Sequence, residues 1–206
     1  MRSSGGSYRF RHALYQQVLY ERLEPTRRAR LHQRIGTRLE AGYGVQAGAI
    51  VAQLAVHFER GGEVRRAVHS WHQVGDTSAR RNAYPEAMAA LTKGLALLAT
   101  LPESAERARH ELTLQLALGA LLLAMKGRTA PEVGEVYTRA HALGQQVGEL
   151  QQCCQALWGL VQFHAALGHV RRAGALSQQL FQLTQQQPEP ALVSEGHLAL
   201  GHVLLY

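Results

Sequence analysis

Between residues 67 and 102 the chain carries two complementary helical patterns. Trp71, Val74, Gly75 and Ser78 mark the first predicted helix, and Tyr84, Ala87, Leu91, Gly94 and Leu98 the second. Large side chains on one helix opposite small ones on its neighbour let two antiparallel helices pack closely. A chain constrained in this way reads as a helical-repeat scaffold, and the usual work of such scaffolds is binding.

Composition agrees. Leu and Ala dominate, Pro is limited to six residues and β-branched residues are few, which favours helices. The 206 residues can bury a core as one elongated unit or two small ones. No apolar run reaches the roughly 18 residues that would span a bilayer. Residues 1–7 are polar and rich in Gly and Ser, with no apolar signal core, so a cytoplasmic location is expected. Cys153 and Cys154 are adjacent and would point about 100° apart on a helix, a poor geometry for a disulfide. They also lack metal-ligand spacing and read as small, half-buried helix residues.

The formal charge of +7 is unevenly placed. Residues 1–81 hold fourteen arginines against six acidic residues, whereas residues 82–206 hold eight basic and nine acidic residues. The basicity therefore belongs to the N-terminal part, which suits either a solvated arginine face or an anionic partner such as nucleic acid. No aromatic interleaving accompanies it.

Gly and Pro punctuate the chain into helices. A short extended stretch is expected over residues 7–11 and a helix over 12–23, with Leu14, Val18 and Leu19 as its apolar stripe. Pro25 suits the first turn of an arginine-rich helix bearing Leu31, Ile35 and Leu39 on its inner face. The boundary falls at 41–48, dividing a basic helical segment, 1–46, from a repeat domain, 47–206. Further helices are expected over 49–60, 63–81, 85–99, 103–126, 131–147, 149–167, 169–186 and 191–206.

The series repeats itself. Gly62-Glu63-Val64-Arg65-Arg66-Ala67 recurs as Gly168-His169-Val170-Arg171-Arg172-Ala173, an offset of 106 residues and close to three units of about 34. Leu118-Gly119 and Leu200-Gly201 recur at matching places. On these residues the chain resembles the tetratricopeptide-repeat family. Trp71, Val74, Gly75 and Ser78 match its first-helix positions, and Ala87, Leu91 and Gly94 its second-helix positions. A further unit has Val161, His164, Ala173 and Leu180 there but lacks the family's Gly. The resemblance implies an all-α, right-handed solenoid of antiparallel helix pairs. Trp71, Gly75, Ala87, Leu91, Gly94 and Ala173 would pack the repeats.

A second resemblance begins at Tyr8-Arg9-Phe10-Arg11-His12-Ala13-Leu14. It continues through Tyr20, Arg27-Arg28, Leu31-His32, Leu54 and His57-Phe58-Glu59. This run is similar to the junction after the nucleotide-binding module of bacterial signal-transduction ATPases with numerous domains, where a winged-helix segment leads into tetratricopeptide-like repeats. It implies a covalent ATPase neighbour in a longer parent. In that intact parent His12 would face the nucleotide phosphate, although Ala13 stands where relatives prefer an acid.

Catalytic chemistry is not expected in this chain. Lys93 and Lys126 are its two lysines and neither follows a Gly, so no phosphate-binding loop is present, and no nucleophile-elbow or metalloprotease motif occurs. No cofactor is expected. His69 and His72 lie at i, i+3 but lack a carboxylate or thiol at ligand spacing, and His197 and His202 diverge, so no metal is expected either. Gln178, Gln179, Gln182, Gln185, Gln186 and Gln187 form an uncharged polar face on the ninth helix.

The leading expectation is a protein- or peptide-binding module, the sensor part of a multidomain regulatory ATPase. Its concave surface would carry Gln73, Thr77, Arg80, Arg81, Gln155 and Gln162. The alternative is nucleic-acid binding through the basic N-terminal helices of a transcriptional regulator. Both ends read as truncated, and an unpaired helix over 191–206 would leave an apolar face for homodimerisation.

Overall fold

The computed structural model describes residues 13–186, and over them all regular structure is helical. The order is α1 (Ala13–Glu21), α2 (Pro25–Tyr43), a 3-10 segment (Gly44–Ile50) and α3 (Val51–Arg60). Then follow α4 (Val64–Arg80), α5 (Tyr84–Leu98), α6 (Ala105–Lys126), α7 (Pro131–Val147), α8 (Leu150–Ala166) and α9 (Val170–Gln186). The extended stretch expected over 7–11, His12, His197, His202, Leu200-Gly201 and the helix over 191–206 with its dimer contact lie outside the described residues. Among the described residues no helix is long and apolar enough to cross a membrane.

Local chemistry explains the boundaries. Pro25, Pro85 and Pro131 occupy the first turns of α2, α5 and α7, where a missing N–H costs nothing. Ser104 caps α6, its hydroxyl accepting from the Arg107 amide at 3.1 Å. One turn recurs four times. Gly62, Asn82, Gly148 and Gly168 each take a left-handed φ, between 59° and 75°. Each stands two residues before the next helix, α4, α5, α8 and α9 respectively. The following amide donates to a carbonyl five residues back: Glu63 to Phe58, Ala83 to Ser78, Glu149 to Gly144 and His169 to His164. The sequence match between 62–67 and 168–173 is therefore a match of structure.

Packing proceeds mainly between neighbours in sequence, from α2 on α3 through to α8 on α9. In addition α4 meets α6, and α6 meets α8, so these three alternate helices lie in one row. Surface pairs tie the row together. Arg65 meets Glu106 at 2.9 Å, Arg109 meets Glu149 at 3.2 Å, and Gln152 donates to Thr113 at 3.3 Å.

Glycines seat the large side chains. A Cβ on Gly75 would lie 2.6 Å from Leu91 Cδ2, so the α4–α5 contact requires the missing side chain. Gly119 of α6 and Gly159 of α8 both receive the ring of Tyr137 from α7, and a Cβ on either would lie within 2.7 Å of that ring. Gly94 stands 3.4 Å by the same measure from Leu114. Tyr137 is 6% exposed and belongs to a core with Leu112, Leu122, Leu143 and Leu160. Burying a large apolar side chain contributes about 1.5–3 kcal/mol, so this layer is a main source of stability.

Two expectations about the N-terminal helices need correction. On α2 it is His32 and Gly36 that are buried, while Leu31 and Ile35 are 36% and 42% exposed and Leu39 is half-buried. The cause is Gly36, where a Cβ would lie 2.8 Å from the Phe58 ring. A contact made at a glycine is invisible to a count of apolar residues. On α1, Val18 and Leu19 are exposed rather than forming an inward stripe.

Candidate functional site

Each residue expected to bind a partner can now be placed. Gln73 is exposed, and its amide meets His69 Nε2 at 3.0 Å. Thr77 is half-buried and accepts from Arg80 at 3.3 Å. At 100° per residue Gln73 and Thr77 fall on the side of α4 opposite Gly75, and so away from α5. Arg80 is exposed near the end of α4, and Arg81 is exposed at its C-cap. Gln155 is exposed and Gln162 half-exposed on α8. The six residues therefore lie on two helices of the α4–α6–α8 row, not in one cleft.

Among them, only Arg80 lines the groove that opens between α4 and α6. This groove has a volume of about 440 Å³. Its floor is made of small side chains: Ala79 from α4, and Ala117, Ala120 and Ala124 from α6, with Leu91 beneath Gly75. Its polar residues are Asp76, Arg80 and Tyr84. Asp76 lies 3.6 Å from His72, and the Tyr84 hydroxyl donates to Asn82 at 2.9 Å. An apolar trough with a carboxylate and a guanidinium beside it suits a short peptide segment that carries apolar and charged side chains. Sequence reasoning missed the α6 wall. Its signal was the spacing of Ala117, Ala120 and Ala124 along one helix face.

The residues assigned to packing lie between helices. Ala87 and Leu91 sit in the α4–α5–α6 core with Val68, Leu98, Leu114 and Leu121, and Ala173 is fully buried on α9. Trp71 is half-buried, donates its indole N–H to Glu59 at 3.0 Å and lies under the Lys93 ammonium.

Several other titratable groups lie within the helix packing. Burial pushes the Tyr137 hydroxyl up to about 12 and raises the Cys153 thiol. Both cysteines are buried, with Cys154 packed on Leu157 and Leu180. Burial lowers His141, whose Nε2 has no hydrogen-bond partner among the described residues. His69 and His72 have separate partners, and among the described residues no group of three or more His, Cys, Asp or Glu could hold a metal ion. Gln178, Gln182 and Gln185 of α9 are exposed and Gln179 is half-buried.

No protein-family model matches the chain. The chain is similar to an uncharacterized protein of Rhizobium meliloti (strain 1021), with 30% identity over 155 residues. That stretch makes up 74% of this chain and 15% of the length of the relative.

Proposed function

We propose that this chain is a protein- or peptide-binding module of tetratricopeptide-like helix pairs, wound as a right-handed solenoid. It would serve as the sensor part of a multidomain regulatory ATPase. The observation that carries this reading is the groove between α4 and α6, on a row of alternate helices that recurrent turns hold in register. The ATPase context rests on the likeness at residues 8–32. The match with 15% of a much longer, uncharacterized relative supports a multidomain setting and not an ATPase in particular. A peptide held in the groove would shift the attached switch through differential affinity for its two states.

The second reading, nucleic-acid binding, has its own observation. Arg27, Arg30, Arg34 and Arg38 are exposed and fall within one stripe of α2, opposite the buried His32 and Gly36. Among the described residues none of the four forms an ion pair.

Selection of peptides from a random library on the full chain separates the two. Selected peptides should lose binding when Ala120→Arg fills the trough, and should keep it in high salt. If binding instead survives Ala120→Arg, the groove reading is wrong. If a DNA duplex binds with a steep salt dependence that Arg34→Gln and Arg38→Gln reduce, the second reading takes its place.

A further inference from the structure

A second groove, of about 530 Å³, lies where α1 and α2 meet α3. It is independent of the α4–α6 trough. Three features of its lining belong together.

The first is a chain of hydrogen bonds. Tyr20 Oη lies 2.8 Å from His32 Nε2, and His32 Nδ1 lies 2.9 Å from His57 Nδ1. With both imidazoles neutral, the three groups carry three protons and use two in these bonds. If His32 donates to His57, Tyr20 donates to His32 and the spare N–H is His57 Nε2. If His57 donates to His32, the spare donor is the Tyr20 hydroxyl. In either arrangement one end of the chain holds an unused donor, and both ends line the groove.

The second feature is charge. Arg28 and Arg60 line the groove, and among the described residues neither is paired with a carboxylate. Arg28 stacks over the Tyr20 ring, 5.4 Å from its centroid. Glu21 accepts from Gln17, and Glu63 from Gln33. Burial first holds both imidazoles below their ordinary range; at His32 the neighbouring His57 and then Arg60 add to it, and at His57 Arg60 does. Two guanidiniums without a carboxylate partner among the described residues thus stand beside imidazoles that resist protonation. The third feature is an apolar wall. Leu23, Leu31 and Ile35 line the same space, and Leu31 and Ile35 stay substantially exposed although they are spaced as core residues.

We propose that this groove binds a small organic acid whose carboxylate meets Arg28, Arg60 and the spare donor, and whose apolar chain or ring lies along Leu31 and Ile35. A charged head alone lacks the wall, and an apolar molecule alone leaves the guanidiniums without a counter-ion.

The test titrates the full chain with octanoate, acetate and 1-octanol while the histidine ring protons are followed by NMR. His57→Gln supplies the assignment. Octanoate should shift the His32 and His57 signals saturably, and bind about tenfold more tightly than either acetate or 1-octanol. Arg60→Gln and Ile35→Ser should each weaken octanoate several-fold. Both positions are exposed, so neither change disturbs the core, and circular dichroism confirms that the variants are folded. The proposal is overturned if octanoate leaves both signals unmoved, if acetate binds equally well, or if neither substitution weakens binding. It is overturned as well if only a DNA duplex moves these signals, because the arginines then serve the phosphate backbone.

Discussion

The two grooves are built on opposite plans. The α4–α6 trough is shaped by absent side chains: Gly75 admits Leu91, and four alanines leave the floor open. The α1–α3 groove is shaped by side chains that burial would normally exclude, a Tyr–His–His chain with His32 only 7% exposed. From α4 to α8, steric fit between apolar groups fixes geometry. At the N-terminal end, hydrogen bonds do, and those respond to pH and to anions in a way that a packed alanine cannot.

The comparison breaks most readily at Tyr137. Replacing it with Ala removes the ring shared by α6 and α8 and should cost about 3–5 kcal/mol in urea denaturation. A loss below about 1 kcal/mol would mean that the layer between these helices is not held by this wedge. Gly159→Ala should come next. Helix propensity alone favours Ala by up to about 1 kcal/mol, yet the new Cβ would press on the rigid ring, so a net loss of about 1–3 kcal/mol is expected. A stabilised variant would show that the ring can move aside.

Gly36→Ala applies the same insult at the other end, against Phe58. Because α2 packs chiefly on α3, the expected result is faster amide exchange confined to α2, with a smaller global loss. Exchange that accelerates equally in α7 would erase the distinction between the two regions. The smallest effect concerns pH. His32 and His57 bind protons less readily in the folded chain than at the ordinary value of 6.5. The unfolded chain thus takes up protons first, and stability falls as the pH falls. Their contribution is complete above pH 6.5 and declines as the pH drops toward their lowered folded values. Exchange in α2 should quicken over that window, and His57→Gln should flatten the response there. It should leave the parallel acid response of α7, set by His141, in place.

Much of the helix succession was legible from residues because its signals are local. Helix α7 begins at Pro131 and ends before Gly148 as the punctuation indicated, and the 62–67 and 168–173 segments form the same turn. Leu118-Gly119 stood out only as a recurring pair; that Gly119 seats Tyr137 together with Gly159 was not legible from it. The α2 face was misread because Leu31 and Ile35 have the right spacing, while the contact was made by a histidine and a glycine. The grooves were less legible still. Of the residues proposed to bind a partner, Arg80 alone borders the α4–α6 trough, since a trough depends on how two helices distant in sequence are spaced. The Tyr20–His32–His57 chain joins residues 12 and 25 positions apart, beyond the reach of any helical period.

The succession of neighbour-on-neighbour contacts from α2 to α9 has a mechanical consequence. Among the described residues no substantial contact joins helices more than two apart in order, so tension applied across α2 to α9 passes largely from neighbour to neighbour. The layer around Tyr137 is braced by the direct α6–α8 contact, whereas α2 rests chiefly on α3 and the 3-10 segment. A pull on whatever adjoins the N-terminal side would then open the Tyr–His–His groove while leaving the trough between α4 and α6 intact.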